Sequence, residues 1–239
     1  RKTGLDARVL AQSLLMSTAV PLIEGMDENY NLYYYPVLRQ GAGLADISAV
    51  VSAESYILMG SDATESYSDG KVKAELGDDP DRDGTYSFSF TVNNMTDSEQ
   101  KYELSAQMFT QAPVPYYVNE DKDIGYYMNT SVALLNSIAT FTCDGASATE
   151  IAVPANDSVE VEVTLTLSTE DKADLDEYFE KGAYLEGYVF VDSLSDDYGA
   201  YGVSHSIPVL GFYGSWTDPS MYDVGSYIEY KHGTENRIT

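Results

Sequence analysis

With 239 residues the chain has room for one large domain or two modest ones, and 44% apolar residues are enough to bury a core. Thirty-nine Asp and Glu against 13 Lys and Arg leave a net charge of −26, which excludes a nucleic-acid or anionic-membrane surface, since both need clustered cations. Cys143 is the only cysteine, so there is no internal disulfide framework, and no apolar run approaches the ~20 residues that cross a bilayer.

The chain opens on Arg1 and Lys2 with neither an initiator Met nor a charged-then-apolar leader, as a segment of a longer protein would. Thr3 and Asp6 have capping-box spacing, and Leu5, Val9, Leu10, Leu14 and Leu15 then share one helical face. Pro21 ends this helix soon after Ala19, while Ala11, Ser13 and Ser17 are small enough to let a neighbour approach closely. A second short helix is expected around Asp46–Ser52. Nothing nearby offers these two a core, so residues 1–52 are expected to belong to a domain that begins upstream.

From Ala53 the period changes to two. Val72, Ala74 and Leu76 alternate with Lys71, Lys73 and Glu75. Tyr86, Phe88, Phe90 and Val92 alternate with Thr85, Ser87, Ser89 and Thr91, and Tyr102, Leu104, Ala106 and Met108 follow. Val159, Val161, Val163, Leu165 and Leu167 alternate with Glu160, Glu162, Thr164 and Thr166. Each run puts apolar side chains on one sheet face and polar ones on the other. Further strands are expected at Ile138–Cys143, Tyr184–Val191 and Ser204–Leu210, with one capped helix between them that starts at Ser168 and Asp171 and carries Leu175, Tyr178 and Phe179. The Pro- and Tyr-rich stretch 112–136 breaks the alternation and reads as a long loop or insertion. The expected class is mainly β: an antiparallel sandwich over 53–239, preceded by a short helical segment.

Two clusters carry a family likeness. The first is LAQSLLMSTAVP (Leu10–Pro21) with RQGAGLADISAVVSA (Arg39–Ala53). It resembles the end of subtilisin-like catalytic domains, where Gly41 and Gly43 would supply the sharp turn. The second is GAYLEGYVFVDS (Gly182–Ser193) with HSIPVLGFYGSWTDP (His205–Pro219). It is similar to the fibronectin-III-like domain of Gram-positive cell-envelope peptidases of the lactocepin and C5a-peptidase type. VPANDSVEVEVTLTLS (Val153–Ser168) and FTVNNMTDSEQKYEL (Phe90–Leu104) also look like strands of that module. The resemblance implies a secreted or envelope-attached serine endopeptidase of which 1–52 is the tail of the catalytic domain. It also implies that the upstream catalytic domain is the partner of this chain, and that protein substrates reach the whole.

The chemistry of that mechanism is absent here. An Asp, a His and a Ser must surround one scissile carbonyl, and the family's GTSMA-like nucleophile motif does not occur. Ser17 in MSTA sits on a helix face without the preceding Gly-Thr, and His205 and His232 have no companion at triad spacing. No catalytic residue is therefore assigned, and the chain alone is expected to be inactive. Asp79, Asp81 and Asp83, followed by Gly84, match the opening of a calcium loop and make calcium the one candidate cofactor. Phe90 replaces the twelfth-position Glu, which excludes an EF-hand and leaves a polar hairpin turn as the other reading. Tyr116, Tyr117, Tyr126, Tyr127 and Trp216 form a candidate partner or substrate surface, and they motivate the alternative of an extracellular adhesion or carbohydrate-binding module. Asn94, Asn129 and Asn156 each open an N-x-S/T triplet, which in a bacterial protein is coincidence.

Overall fold

A computed structural model describes residues 3–26, 32–117, 124–194 and 202–217, with the side chains of 113–132 left aside. In chain order the elements are α1 (Ala7–Ser17), β1 (Ile23–Met26), β2 (Leu32–Tyr34), α2 (Val37–Gln40), α3 (Ile47–Ser52), β3 (Ser55–Met59), β4 (Ala74–Asp79), β5 (Thr85–Asn94) and β6 (Gln100–Tyr117). They continue with β7 (Ile124–Leu134), β8 (Ile138–Cys143), β9 (Ala146–Ser147), β10 (Glu150–Val153), β11 (Ser158–Thr166), α4 (Thr169–Tyr178), β12 (Ala183–Ser193) and β13 (His205–Tyr213).

Two sheets face each other, one ordered β10-β6-β12-β13-β4 with β7 added to β6, the other β3-β5-β11-β8-β9. Period-two alternation decides which residues meet between them. Tyr86, Phe88, Phe90 and Val92 of β5 and Val161, Val163 and Leu165 of β11 are buried against Leu104, Met108, Leu185, Val189, Val191, Ile207 and Val209 of the other sheet. The ladders are antiparallel with one exception, the parallel pairing of β4 with β13 from Ala74 to Asp79. Strand β4 also starts later than the alternation of Lys71–Leu76 suggests.

Of the two readings of 112–136, a long loop or an insertion, the loop is corrected. Residues 109–117 pair with 124–134 as the outer half of a hairpin, with a register shift between Gln111 and Pro113. A proline lacks the ladder N–H, and the irregular register accommodates Pro113 there. Ser168 and Asp171 form the expected capping box on α4, and its Leu175 and Phe179 enter the core.

Helix α1 does not stand apart from the sandwich. Its N-cap is Asp6, whose Oδ1 accepts from the Arg8 amide at 2.8 Å, and not the Thr3 of the expected capping box. The fully buried residues are Ser13, Leu14 and Ser17; Leu5 and Leu10 of the leucine face pack beside Leu14 against Ala53 and Tyr56, whereas Leu15 is exposed. The helix lies across the end of the sandwich against β3 and β13, where Ser13 Oγ donates to the Ile57 carbonyl at 2.5 Å. The segment after it crosses the outer face of β12 and β13. Val20 and Leu44 exchange backbone hydrogen bonds of 2.9 Å, and a Cβ on Gly43, at φ +107°, would meet the Val20 carbonyl oxygen at 2.3 Å. The turn therefore requires glycine at that position, as the GAG motif suggests. This covering explains why β12 and β13 are buried almost along their whole length, on both faces.

Candidate functional site

Four polar side chains from four elements meet at the end closed by α1. His205 begins β13 and is 2% exposed. Its Nδ1 lies 2.9 Å from Ser17 Oγ on α1, and its Nε2 lies 2.7 Å from Ser55 Oγ on β3. The Tyr102 hydroxyl on β6 donates to Ser55 Oγ at 2.6 Å. With Tyr102 donating, the Ser55 proton goes to Nε2, and the imidazole keeps its own proton on Nδ1 for Ser17. Ser206 adds a bond of 3.2 Å from its hydroxyl to the Ala19 carbonyl.

A serine beside a histidine invites comparison with a hydrolase dyad, and the surroundings answer it. Ser17 is fully buried, no carboxylate among the described residues hydrogen-bonds the ring, and burial pushes the imidazole down to about 4. A general base must be accessible and poised near the working pH, whereas this cluster is closed in and joins four elements. Sequence reasoning missed the pair because Ser17 and His205 are 188 positions apart. The only local hint is a small residue on a helix face.

The outer face of β12 grips the covering segment. Glu186 is fully buried, and its Oε2 accepts from the Leu38 amide at 2.9 Å, while Oε1 has no hydrogen-bond partner. Burial raises its pKa, opposed by the Leu38 and Val37 amides and by Arg39. The Tyr188 hydroxyl donates to the Gly41 carbonyl at 2.8 Å, and the Tyr34 ring packs on Tyr188 and Phe190 with centroids 5.5 and 5.7 Å apart. Beside this grip a cavity of about 470 Å³ runs between residues 18–23 and the end of β12, lined by Ile23, Tyr34, Phe190, Asp192, His205 and Ser206 among others.

The candidate calcium residues are placed otherwise than a metal loop requires. Asp79 Oδ1 accepts from the Asp83 amide at 3.0 Å, and Oδ2 accepts from the Gly84 amide at 2.8 Å and the Tyr86 hydroxyl at 3.1 Å. Arg82, at φ +54°, bonds Asp176 and the Glu180 carbonyl of the α4 end and lies 5.5 Å over the Tyr213 ring. Among the described residues, no three His, Cys, Asp or Glu converge as a metal would need, and this includes Asp79, Asp81 and Asp83. Millimolar calcium is accordingly expected to leave the thermal midpoint unchanged, which differential scanning fluorimetry with and without chelator measures.

The candidate aromatic surface divides. Trp216 is half exposed and stacks on Phe212 at 4.5 Å with Tyr184 edge-on at 5.0 Å, so one ring face is already covered. The side chains of Tyr116, Tyr117, Tyr126 and Tyr127 lie outside the described residues, although their backbones pair in the β6–β7 hairpin. Cys143 is half-buried, and burial followed by the Asp144 charge raises its pKa, which keeps the thiol protonated and unreactive. Among the described residues no helix is long and apolar enough to cross a membrane.

Comparison with known proteins agrees with the architecture. The PII-type proteinase of Lacticaseibacillus paracasei is 28% identical over 218 residues, 90% of this chain and 10% of that protein. The PI-type proteinase of Lactococcus lactis subsp. cremoris matches with the same identity and coverage. The chain thus spans about a tenth of the length of the curated relatives it matches. A family 123 glycoside hydrolase from Clostridium perfringens aligns over 67% of this chain and 27% of its own, at 9% identity and a TM-score of 0.37. The family model of the Fn3-like domain matches residues 79–210, the span from the end of β4 into β13, and the chain belongs to that family.

Proposed function

We propose that this chain is a non-catalytic part of an extracellular serine endopeptidase, and that it stabilises the catalytic domain by packing against it through residues 15–51. One observation carries the reading. Ten of the thirteen large apolar side chains exposed among the described residues lie in that stretch, which is less than a sixth of the chain. Scattered exposed apolar residues are ordinary, but a concentration of them marks a surface that another protein covers. Helix α3 adds to this, because none of its six residues is buried. A helix this short is marginal in water and gains its stability from packing; here only Val50 packs on the Leu14, Ala53 and Tyr56 cluster, and Ile47 and Val51 stay exposed. The match to proteinases ten times longer supplies the candidate neighbour.

The test uses Leu44→Asp and Ile47→Asp, two side chains that are 63% exposed here. Each is expected to lower the stability of the full-length proteinase by about 2 kcal/mol or more, the order of one buried aliphatic side chain. The isolated chain should melt unchanged. Equal melting of full-length wild type and variants would overturn the docking reading, and so would the absence of a GTSMA-type nucleophile segment upstream.

A further inference from the structure

We propose that His205 is an acid-sensitive latch that ties α1, and with it the exposed apolar face, to the sandwich when neutral and releases them when protonated. Only the consequence for the apolar face rests on the docking reading above, and the latch itself concerns contacts within this chain.

The geometry of the hub gives the reason. Ser17 on α1, Ser55 on β3 and Tyr102 on β6 surround the ring with hydroxyls, and donation from Tyr102 to Ser55 favours a bare Nε2 that takes the Ser55 proton. A proton on Nε2 would place two donors, Nε2–H and Tyr102, on one serine oxygen and leave the serine proton unplaced. It would also bury a charge without a counterion. Among the described residues the charged and titratable groups around the ring are few. Helix α1 contributes none at this end, since its Arg8 pairs with Asp69 at 3.2 Å. From β6 comes Tyr102, held neutral chiefly by burial. Glu54 precedes β3, and Asp192 of β12 lines the cavity beside the ring with Tyr34 of β2. None of these carboxylates hydrogen-bonds the imidazole among the described contacts. The cavity lined in part by His205 and Ser206 lies beside this closed hub.

Release is the way to solvate the charge. The helix is held to the sandwich by hydroxyl bonds from Ser13 and Ser17, by the small cluster of Leu14, Ala53 and Tyr56 with Leu5 and Leu10, and by Met16 at the edge of the main core, which otherwise lies between the sheets. An imidazole whose pKa is about 4 when docked and 6.5 when free binds more protons once α1 has moved away. The released population therefore grows as pH falls below 6.5, and the growth is complete once pH is below the docked value. Between pH 7.5 and pH 5 the opening constant rises roughly thirtyfold by proton linkage.

The experiment is hydrogen exchange of the intact chain from pH 7.5 to pH 5, corrected for intrinsic rates, together with an NMR titration of the ring in a His232→Gln background that leaves one imidazole. The expected result is that amides of 13–18 exchange by an opening separate from that of β11 and grow about thirtyfold more open over this range. The ring is expected to be the Nδ1–H tautomer and to stay neutral in docked molecules at pH 5. In His205→Gln the pH dependence of that opening disappears. The proposal is overturned by α1 exchange that is independent of pH, by α1 and β11 opening only together, or by a ring that titrates near 6.5 while α1 remains protected. The last outcome is read from the wild-type ring, so it holds even where His205→Gln does not fold. None of these readings depends on the upstream domain.

Discussion

Replacing Asn94 with alanine is expected to lower the unfolding free energy by about 2–4 kcal/mol, because it strands several buried polar groups at once. Asn94 ends β5 and is 5% exposed. Its Nδ2 donates to the carbonyls of Ser98 at 2.7 Å, Val153 at 3.1 Å and Pro154 at 3.0 Å. Its Oδ1 accepts from the Thr96 amide and hydroxyl, each at 2.8 Å. One side chain thus holds the β5–β6 turn and the end of β10 together across the sandwich. Urea melts of Asn94→Ala and Asn94→Asp separate the two halves of the amide. The aspartate keeps an acceptor for Thr96 but turns a carboxylate toward three carbonyls, so at pH 7 it should be as damaging as alanine or more so. Its loss should shrink as pH falls through the carboxyl range and a donor returns, whereas the alanine loss should not. A melt of Asn94→Ala within about 0.5 kcal/mol of wild type, the range of ordinary surface changes, would show that water replaces the amide. The same geometry bears on the Asn94-Met95-Thr96 triplet: the nitrogen a glycan would need is already engaged.

Gly187→Val should cost about 3 kcal/mol or more, at the upper end of overpacking effects. Gly187 lies in the middle of β12, opposite Met108 of β6 and Val209 of β13. A Cβ there would sit 2.4 Å from the Met108 sulfur and 2.5 Å from the Gln107 carbonyl oxygen. The thioether can move aside, but the carbonyl belongs to the paired β6 backbone and cannot. Gly187→Ala in a Met108→Ala background tests this division. It should recover the part of the loss due to sulfur and keep the part due to the carbonyl. Full recovery would mean that side-chain crowding alone demands the glycine. Either loss is read from the midpoint in urea, with an unchanged slope showing that the two-state comparison holds.

Local chemistry was legible in the sequence wherever neighbours along the chain carry the information. The alternation in Thr85–Val92 and in Val159–Leu167 predicts the two inner faces, and burial follows it residue by residue. The Ser168–Asp171 box and the Gly41–Gly43 turn are each set within a few residues and appear as expected. The calcium motif is a different kind of signal. Three alternate aspartates describe spacing only, and the carboxylate of Asp79 is satisfied by its own turn.

Sequence by itself determined the alternating strands of the two inner faces, the Ser168 cap of α4 and the glycine turn at Gly43. Only the tertiary structure decided that α1 closes the sandwich, that the covering segment buries β12 and β13 on both faces, and that His205 is a hub for Ser17, Ser55 and Tyr102. The runs Tyr188–Val191 and Ile207–Leu210 are near-continuously apolar, which is the signal of two-sided burial, yet such a signal does not say what supplies the second side. The contacts that do supply it join residues 147 to 188 positions apart, such as Tyr188 to Gly41 and His205 to Ser17. Pairings at that separation leave no periodicity in the chain and form only when the sheets bring their ends together.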